Sequence, residues 1–322
     1  MLLQYLILVA AVVFFAMNMG GSGIAPSFAA VYGAKLISRR YAVILFGVFV
    51  MLGALLLGSR VAKTLSSGFI SKELFTPQVA LIILVSAALS LFIANVLKVP
   101  QSTSWVTVAA TFGAAIYFGG LNWITTLRMI SLWFALPVIG FILTLLLFKV
   151  IYPPRRSNFW FYEKIHSRKN LIHALALASS CYVAFAIGSN NVANAVGPLM
   201  GANLITPVLG LLIVSPLFGL GGYAIKDRTM KTIGKEIVPL GLITSSLVSS
   251  VTASLLLIAS FLGFPQSLVQ LNVLGIMAVG TIKHEHVFAA KQQAVQKTFL
   301  IWLTAPLLSG GLAFLLLKVF GA

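Results

Sequence analysis

The chain has 322 residues, 60% of them hydrophobic and only 8% charged. Soluble domains carry about 25% charged residues, so the composition excludes a soluble enzyme and selects a membrane protein. The net charge of +17 comes from 22 Lys and Arg against 5 Asp and Glu. The cations sit between apolar runs, where membrane proteins keep their cytoplasmic loops, which argues against nucleic acid as the partner and for a lipid setting.

The first run is apolar from Met1, with no cation before Lys35. It lacks the basic start of a cleavable signal and is expected to be the first membrane segment. Further uncharged runs cover 41–59, 74–97, 99–127, 129–148, 170–225, 237–282 and 298–317. A spanning helix needs about 20 apolar residues, so several runs are too long for one pass. The 46 residues of 237–282 would make a helix of about 69 Å at 1.5 Å per residue, against a hydrocarbon core of about 30 Å. That run must turn back, and Gly263-Phe264-Pro265 offers the turn. The same reasoning turns 74–127 at Lys98-Val99-Pro100. It breaks 170–225 near Gly188-Ser189-Asn190-Asn191 and again near Asn203, Thr206 and Pro207. The count is about twelve helical pieces, giving roughly 10–12 membrane segments in an all-α polytopic protein. Residues 1–148 form a first transmembrane unit and 171–322 a second. The polar stretch 149–170, with Arg155, Arg156, Lys164, Arg168 and Lys169, reads as a basic linker on the cytoplasmic side. The single Cys181 provides no disulfide framework.

The two units resemble each other. Leu97-Lys98-Val99-Pro100-Gln101-Ser102 matches Leu262-Gly263-Phe264-Pro265-Gln266-Ser267, and Ile93-Ala94 upstream matches Ile258-Ala259. Gly33-Ala34-Lys35-Leu36-Ile37-Ser38 matches Gly201-Ala202-Asn203-Leu204-Ile205-Thr206, and Phe15-Ala16 matches Phe185-Ala186. Hydrophobic segments interrupted at corresponding places in two halves point to a transporter's binding site. Broken helices free backbone N–H groups that favour anions, and irregular backbone at membrane depth is tolerated only in protein or along a cavity. Four stretches are therefore candidate walls of a substrate site. They supply Asn18, Gly20, Gly21, Ser22 and Gly23; Gln101, Ser102, Thr103 and Ser104; Asn190, Asn191 and Asn194; and Gln266, Ser267 and Gln270. Small and hydroxyl residues also serve plain helix packing in membranes, so the clusters carry the reading rather than any one of them.

Gly188-Ser189-Asn190-Asn191-Val192-Ala193-Asn194-Ala195 resembles the Gly-Ala-Asn-Asp-x-Ala-Asn-Ala-like signature of the inorganic phosphate transporter (PiT) family. Pro100-Gln101-Ser102-Thr103-Ser104 resembles that family's Pro-x-Ser-Thr-Thr/Ser turn. The resemblance implies two inverted repeats, helical hairpins entering from opposite sides, a central oxyanion site and a homodimer. Two departures stand out. Asn191 occupies the family's aspartate position, and the matching first-half stretch Asn18–Gly23 has no acid either. In the family those aspartates are associated with sodium. The pattern and the short chain look most like the sulfate permease branch.

The missing acids have a chemical meaning. Phosphate near neutral pH keeps a proton, so a carboxylate can accept a hydrogen bond from it. Sulfate is an acceptor only, and its site needs N–H and O–H donors; a donor left unpaired by the wrong ion costs about 1–3 kcal/mol. The five acids, Glu73, Glu163, Asp227, Glu236 and Glu285, all lie outside the signatures. The expected function is cell-membrane import of sulfate by alternating access, with phosphate symport and a passive anion channel as rivals. Moving one charge costs about 2.3 kcal/mol per 100 mV, so a dianion entering a negative interior needs a coupling proton or sodium ion, the proton being slightly favoured. Lys98 and Arg128 have a weaker reading as cationic partners of the anion, and Lys283-His284-Glu285-His286 reads as a solvated loop with too few ligands for a metal site. No nucleophile–base pair, nucleotide loop or cofactor fingerprint is present, so no enzyme activity is expected.

Overall fold

The computed structural model describes residues 2–97, 101–224, 241–283 and 293–321. Among these residues every regular element is helical. Twelve α-helices run α1 (Leu2–Gly33), α2 (Arg39–Ser67), α3 (Pro77–Val96), α4 (Thr103–Tyr117), α5 (Trp123–Ile151), α6 (Phe159–Ser167), α7 (Lys169–Asn191), α8 (Ala193–Gly201), α9 (Pro207–Ala224), α10 (Leu242–Leu262), α11 (Leu268–Lys283) and α12 (Gln293–Phe320). Eight segments, with α7 and α8 taken together, are long and apolar enough to cross a membrane. Their outward faces carry Leu56, Leu146, Val150 and Leu303, all exposed. Such surfaces suit lipid, which leaves hydrophobic groups content but every backbone polar group to be satisfied internally.

Sequence punctuation starts and stops these helices. Thr76 caps α3 by accepting from the Val79 N–H at 3.2 Å, with Pro77 in the first turn. Asn122 caps α5 in the same way through Thr125 N–H at 3.1 Å. The matched Lys35 and Asn203 take left-handed φ values of 60° and 55°. Each reverses the chain with the same closing bond, Leu36 N–H to the Val31 carbonyl and Leu204 N–H to the Leu199 carbonyl, both 3.0 Å. Only the second copy, Asn203, is a residue type that visits this conformation readily. Beyond α5, the Asn158 amide gathers the carbonyls of Val150, Ile151 and Pro153 at 3.0–3.1 Å, which shapes the linker before α6.

Each half has the same order: two long helices, a helical hairpin and a closing helix. The hairpins are α3–α4 and α10–α11. The halves interlock, with α1 on α9, α2 on α7, α4 on α12 and α5 on α11. Glycine makes the first two contacts close. A Cβ at Gly20 would fall on the Phe218 carbonyl and one at Gly221 on the Met17 carbonyl. Likewise a Cβ at Gly188 would strike Val50, and one at Gly53 would strike Phe185. Exchanging the halves at an offset of 168 residues, the spacing of the Gly33/Gly201 block, turns the first set into the second.

Two expected breaks differ. α1 runs unbroken through Asn18–Gly23. Its glycines admit the α9 backbone instead of ending the helix, and the bilayer rewards keeping the helical bonds. The break at Gly188–Asn194 shrinks to the single residue Val192, itself at φ −60° and ψ −33°. The expected turn at Gly263 is present, with φ of 80°. Lys98-Val99-Pro100, His284-Glu285-His286, Asp227 and Glu236 lie outside the described residues.

Candidate functional site

The two hairpin turns meet in the interior. Ser102 begins α4, its Oγ accepting from Trp105 N–H at 3.2 Å. Ser267 does the same for α11, accepting from Gln270 N–H at 3.1 Å. Both helices thus point the N–H groups of their first turns, and the positive ends of their dipoles, toward the same region. Ser104 Oγ crosses between the hairpins and donates to the Gln266 carbonyl at 3.0 Å.

The α7–α8 junction grips both turns. Asn194 Nδ2 donates to Ser104 Oγ at 3.2 Å and to Thr103 Oγ1 at 3.4 Å. Asn190 Nδ2 donates to Ser260 Oγ at 3.0 Å and to the Phe264 carbonyl at 3.1 Å. Its Oδ1 accepts from the Gln266 backbone N–H at 2.8 Å. One asparagine therefore holds the end of α10, the turn and the approach to α11. These side chains are closed off from the surface, with Asn190 and Asn194 0% exposed, Gln266 1% and Gln101 3%.

Several polar atoms inside this cluster have no protein partner. Both side-chain amide atoms of Gln266 are in that state, together with Gln101 Oε1, Gln270 Oε1, Asn191 Oδ1 and Asn194 Oδ1. Buried polar groups are normally paired, and an unpaired one costs about 1–3 kcal/mol. A group of such atoms between two helix N-termini is suited to a polar ligand. Among the described residues no acid belongs to the cluster: Glu73 and Glu163 are exposed on outer helical turns. Arg128 is exposed near the start of α5.

The first-half signature does not join in. Asn18 donates to the Phe14 carbonyl at 2.8 Å and accepts from Asn95 at 3.3 Å. Ser22 turns back to the Met19 carbonyl at 3.0 Å. Gly20 admits α9, Gly23 abuts Phe46 and Ile187, and Gly21 is buried in α1. Among the described residues, none of the five gives a side-chain bond to Gln101–Ser104 or to Phe264–Gln270. The register of 168 explains this, since it sets Ser22 opposite Asn190 and Gly23 opposite Asn191. The first half lacks the amides at those positions.

Ser260 and Trp133 were not anticipated. Ser260 bridges Asn190 and Ser189, at 3.0 Å from each. Trp133 Nε1 donates to the Pro265 carbonyl at 2.7 Å and its ring stacks on Trp105 at 4.6 Å. The signal for Ser260 was available: Asn95 and Ser260 directly follow the matched Ile-Ala pairs and are polar in both halves. Nothing in the local sequence marks Trp133, which reaches the turn from the other half.

The sequence profile of the Phosphate transporter family matches residues 19–313. The chain belongs to this family. Among its relatives is the sulfate permease CysP of Bacillus subtilis, 35% identical over 309 residues, covering 95% of this chain and 85% of that one. Sodium-dependent phosphate transporter 1-A of Danio rerio is 30% identical over 134 residues, which is 39% of this chain and 21% of that protein. A solved structure of a sodium-dependent phosphate transporter shares the fold, with a TM-score of 0.82 at 22% identity, covering 98% of this chain and 99% of that one. This family member is thus a multi-pass protein of the cell membrane with a transporter fold.

Proposed function

We propose that this member of the phosphate transporter family imports inorganic sulfate by alternating access, driven by a coupled cation. The observation that carries the reading is the acid-free cluster at the hairpin turns, above all the buried Gln266 amide without a protein partner. Sulfate offers four acceptor oxygens and no proton. Amide and hydroxyl donors with two helix N-termini complement it, whereas an ionised carboxylate would repel it. The 35% identical relative named as a sulfate permease supports the same substrate. In this reading an amide nitrogen of Asn191, Gln101 or Gln270 faces the anion, since the oxygen and nitrogen of a side-chain amide exchange places on a half-turn about its last C–C bond.

With each hairpin taken as a re-entrant pair, each half makes three crossings. That count is odd, so in this reading the second half runs inverted relative to the first, and the hairpins close on the anion from opposite faces. A dianion entering against the membrane potential is opposed by about 4.6 kcal/mol per 100 mV on the single-charge scale, so at least two positive charges must accompany it. A proton is the favoured coupling ion because the cluster, among the described residues, offers no carboxylate to hold sodium.

Radiolabelled sulfate uptake into proteoliposomes tests the reading. Uptake is expected to resist excess unlabelled phosphate and to fall when the pH gradient is collapsed. Strong competition by phosphate, together with loss of uptake on sodium removal, would instead establish sodium–phosphate symport, the second reading, which the shared fold with a sodium-dependent phosphate transporter favours. Rapid flux indifferent to both cations would identify a passive channel.

A further inference from the structure

A second polar feature stands apart from the hairpin cluster. An open cavity of about 740 Å³ lies where the end of α2 meets the α8–α9 connection and the start of α9. Arg60, Lys63 and Lys72 line it with Ser67, Asn203 and Thr206, and no carboxylate is among its lining residues. Three cations with hydroxyl and amide donors are the chemistry that recognises a sulfate- or phosphate-type group.

The cavity adjoins the second hairpin. Arg60 Nη1 donates to the Phe261 carbonyl at 2.9 Å, and its guanidinium lies 5.6 Å from the centre of the Phe261 ring. Phe261 belongs to the last turn of α10, just before Gly263. A Cβ on Gly263 would sit 3.4 Å from Thr64 Oγ1 and 3.5 Å from the Arg60 carbonyl. The wall of the cavity is therefore in contact with the turn that carries Gln266.

Cations at a helix end often reflect membrane topology alone. The sequence argues otherwise here. Arg60-x-x-Lys63-Thr64-Leu65 recurs as Arg228-x-x-Lys231-Thr232-Ile233. The spacing is the 168 residues that also relate the glycine contacts. In the inverted arrangement proposed above, α2 and α9 end at opposite faces, so a rule that gathers cations at one face does not account for both copies.

We propose that this cavity is a second oxyanion site, a basic mouth beside the second hairpin that takes a sulfate or phosphate group from the free ion or from a phospholipid head. Only the two-face argument rests on the inverted reading, and the site does not require sulfate to be the transported ion. The test uses the full chain carrying Cys181→Ala and Ser67→Cys, so that a single thiol reports on the cavity. Its alkylation rate by N-ethylmaleimide is measured in detergent with sodium sulfate or sodium phosphate, against sodium chloride at equal ionic strength. The rate is measured again in vesicles of phosphatidylcholine with and without phosphatidylglycerol. Slowing by about threefold at twice the dissociation constant, as simple occupancy predicts, in the sulfate or phosphate samples supports the free ion. Slowing confined to vesicles containing phosphatidylglycerol supports the lipid head. Either effect is expected to vanish when Arg60→Gln, Lys63→Gln and Lys72→Gln are added. No slowing in any condition, or equal slowing in the triple variant, overturns the proposal. The readout needs no transport, so its failure and a failure of sulfate uptake are separate results.

Discussion

Two amide side chains in the same cluster have different duties. Asn190 spends its hydrogen bonds on protein, joining Ser260, Phe264 and Gln266. Gln266 spends its side-chain amide on no protein group at all. The first should matter for architecture and the second for substrate. Gln266→Glu keeps the shape and replaces a donor with an acceptor. Sulfate uptake by this variant is expected to fall about fivefold or more, since one lost donor bond is worth about 1–3 kcal/mol. Asn190→Ala removes three bonds, and both its melting temperature and its uptake are expected to drop. Asn191→Asp restores a carboxylate beside the site, and loss of sulfate uptake is expected. Unchanged uptake in Asn191→Asp would show that the absent acids do not set selectivity.

At the scale of the helix, glycine works by what it leaves out. Gly20 and Gly188 let α1 and α7 meet the backbones of α9 and α2. Gly20→Val and Gly188→Val should each destabilise the folded protein by at least about 1–3 kcal/mol, the usual cost of overpacking. Gly33→Ala serves as the control, because a Cβ there meets nothing within 4 Å. Thermal unfolding in detergent distinguishes them. These contacts also explain what the sequence conveyed and what it hid. The turn at Gly263 and the hairpin starts at Ser102 and Ser267 were legible because local chemistry causes them: a left-handed glycine and two hydroxyl caps. The continuity of α1 was not legible. Gly20-Gly21-Ser22-Gly23 reads as a break until the facing α9 backbone is known, and that contact joins residues some 200 positions apart. Separation along the chain also hid Trp133, whose bond to Pro265 spans 132 positions.

For the whole molecule, the pairing of helices across the halves has a direct consequence. Neither half can bury its own glycine faces, because α1 needs α9 and α2 needs α7. Residues 1–155 and 156–322 expressed separately are expected to yield no uptake, whereas their co-expression restores it, since the cut falls in the linker before α6 rather than within a membrane helix. Recovery of a folded, monodisperse first half on its own would contradict this pairing.

The last helix carries a timing constraint. Its residues cover the first hairpin along its length: Ser90 Oγ donates to the Ala305 carbonyl at 3.1 Å, and Ser309 Oγ donates to the Val106 carbonyl at 2.8 Å. Gln78 Nε2 reaches the Phe320 carbonyl at 3.3 Å. During synthesis these bonds must therefore wait until residues 293–320 of α12 have been made. A chain cut before α12 would leave Ser90 and the Val106 carbonyl without these partners in lipid, where quality-control proteases would meet the hairpin first.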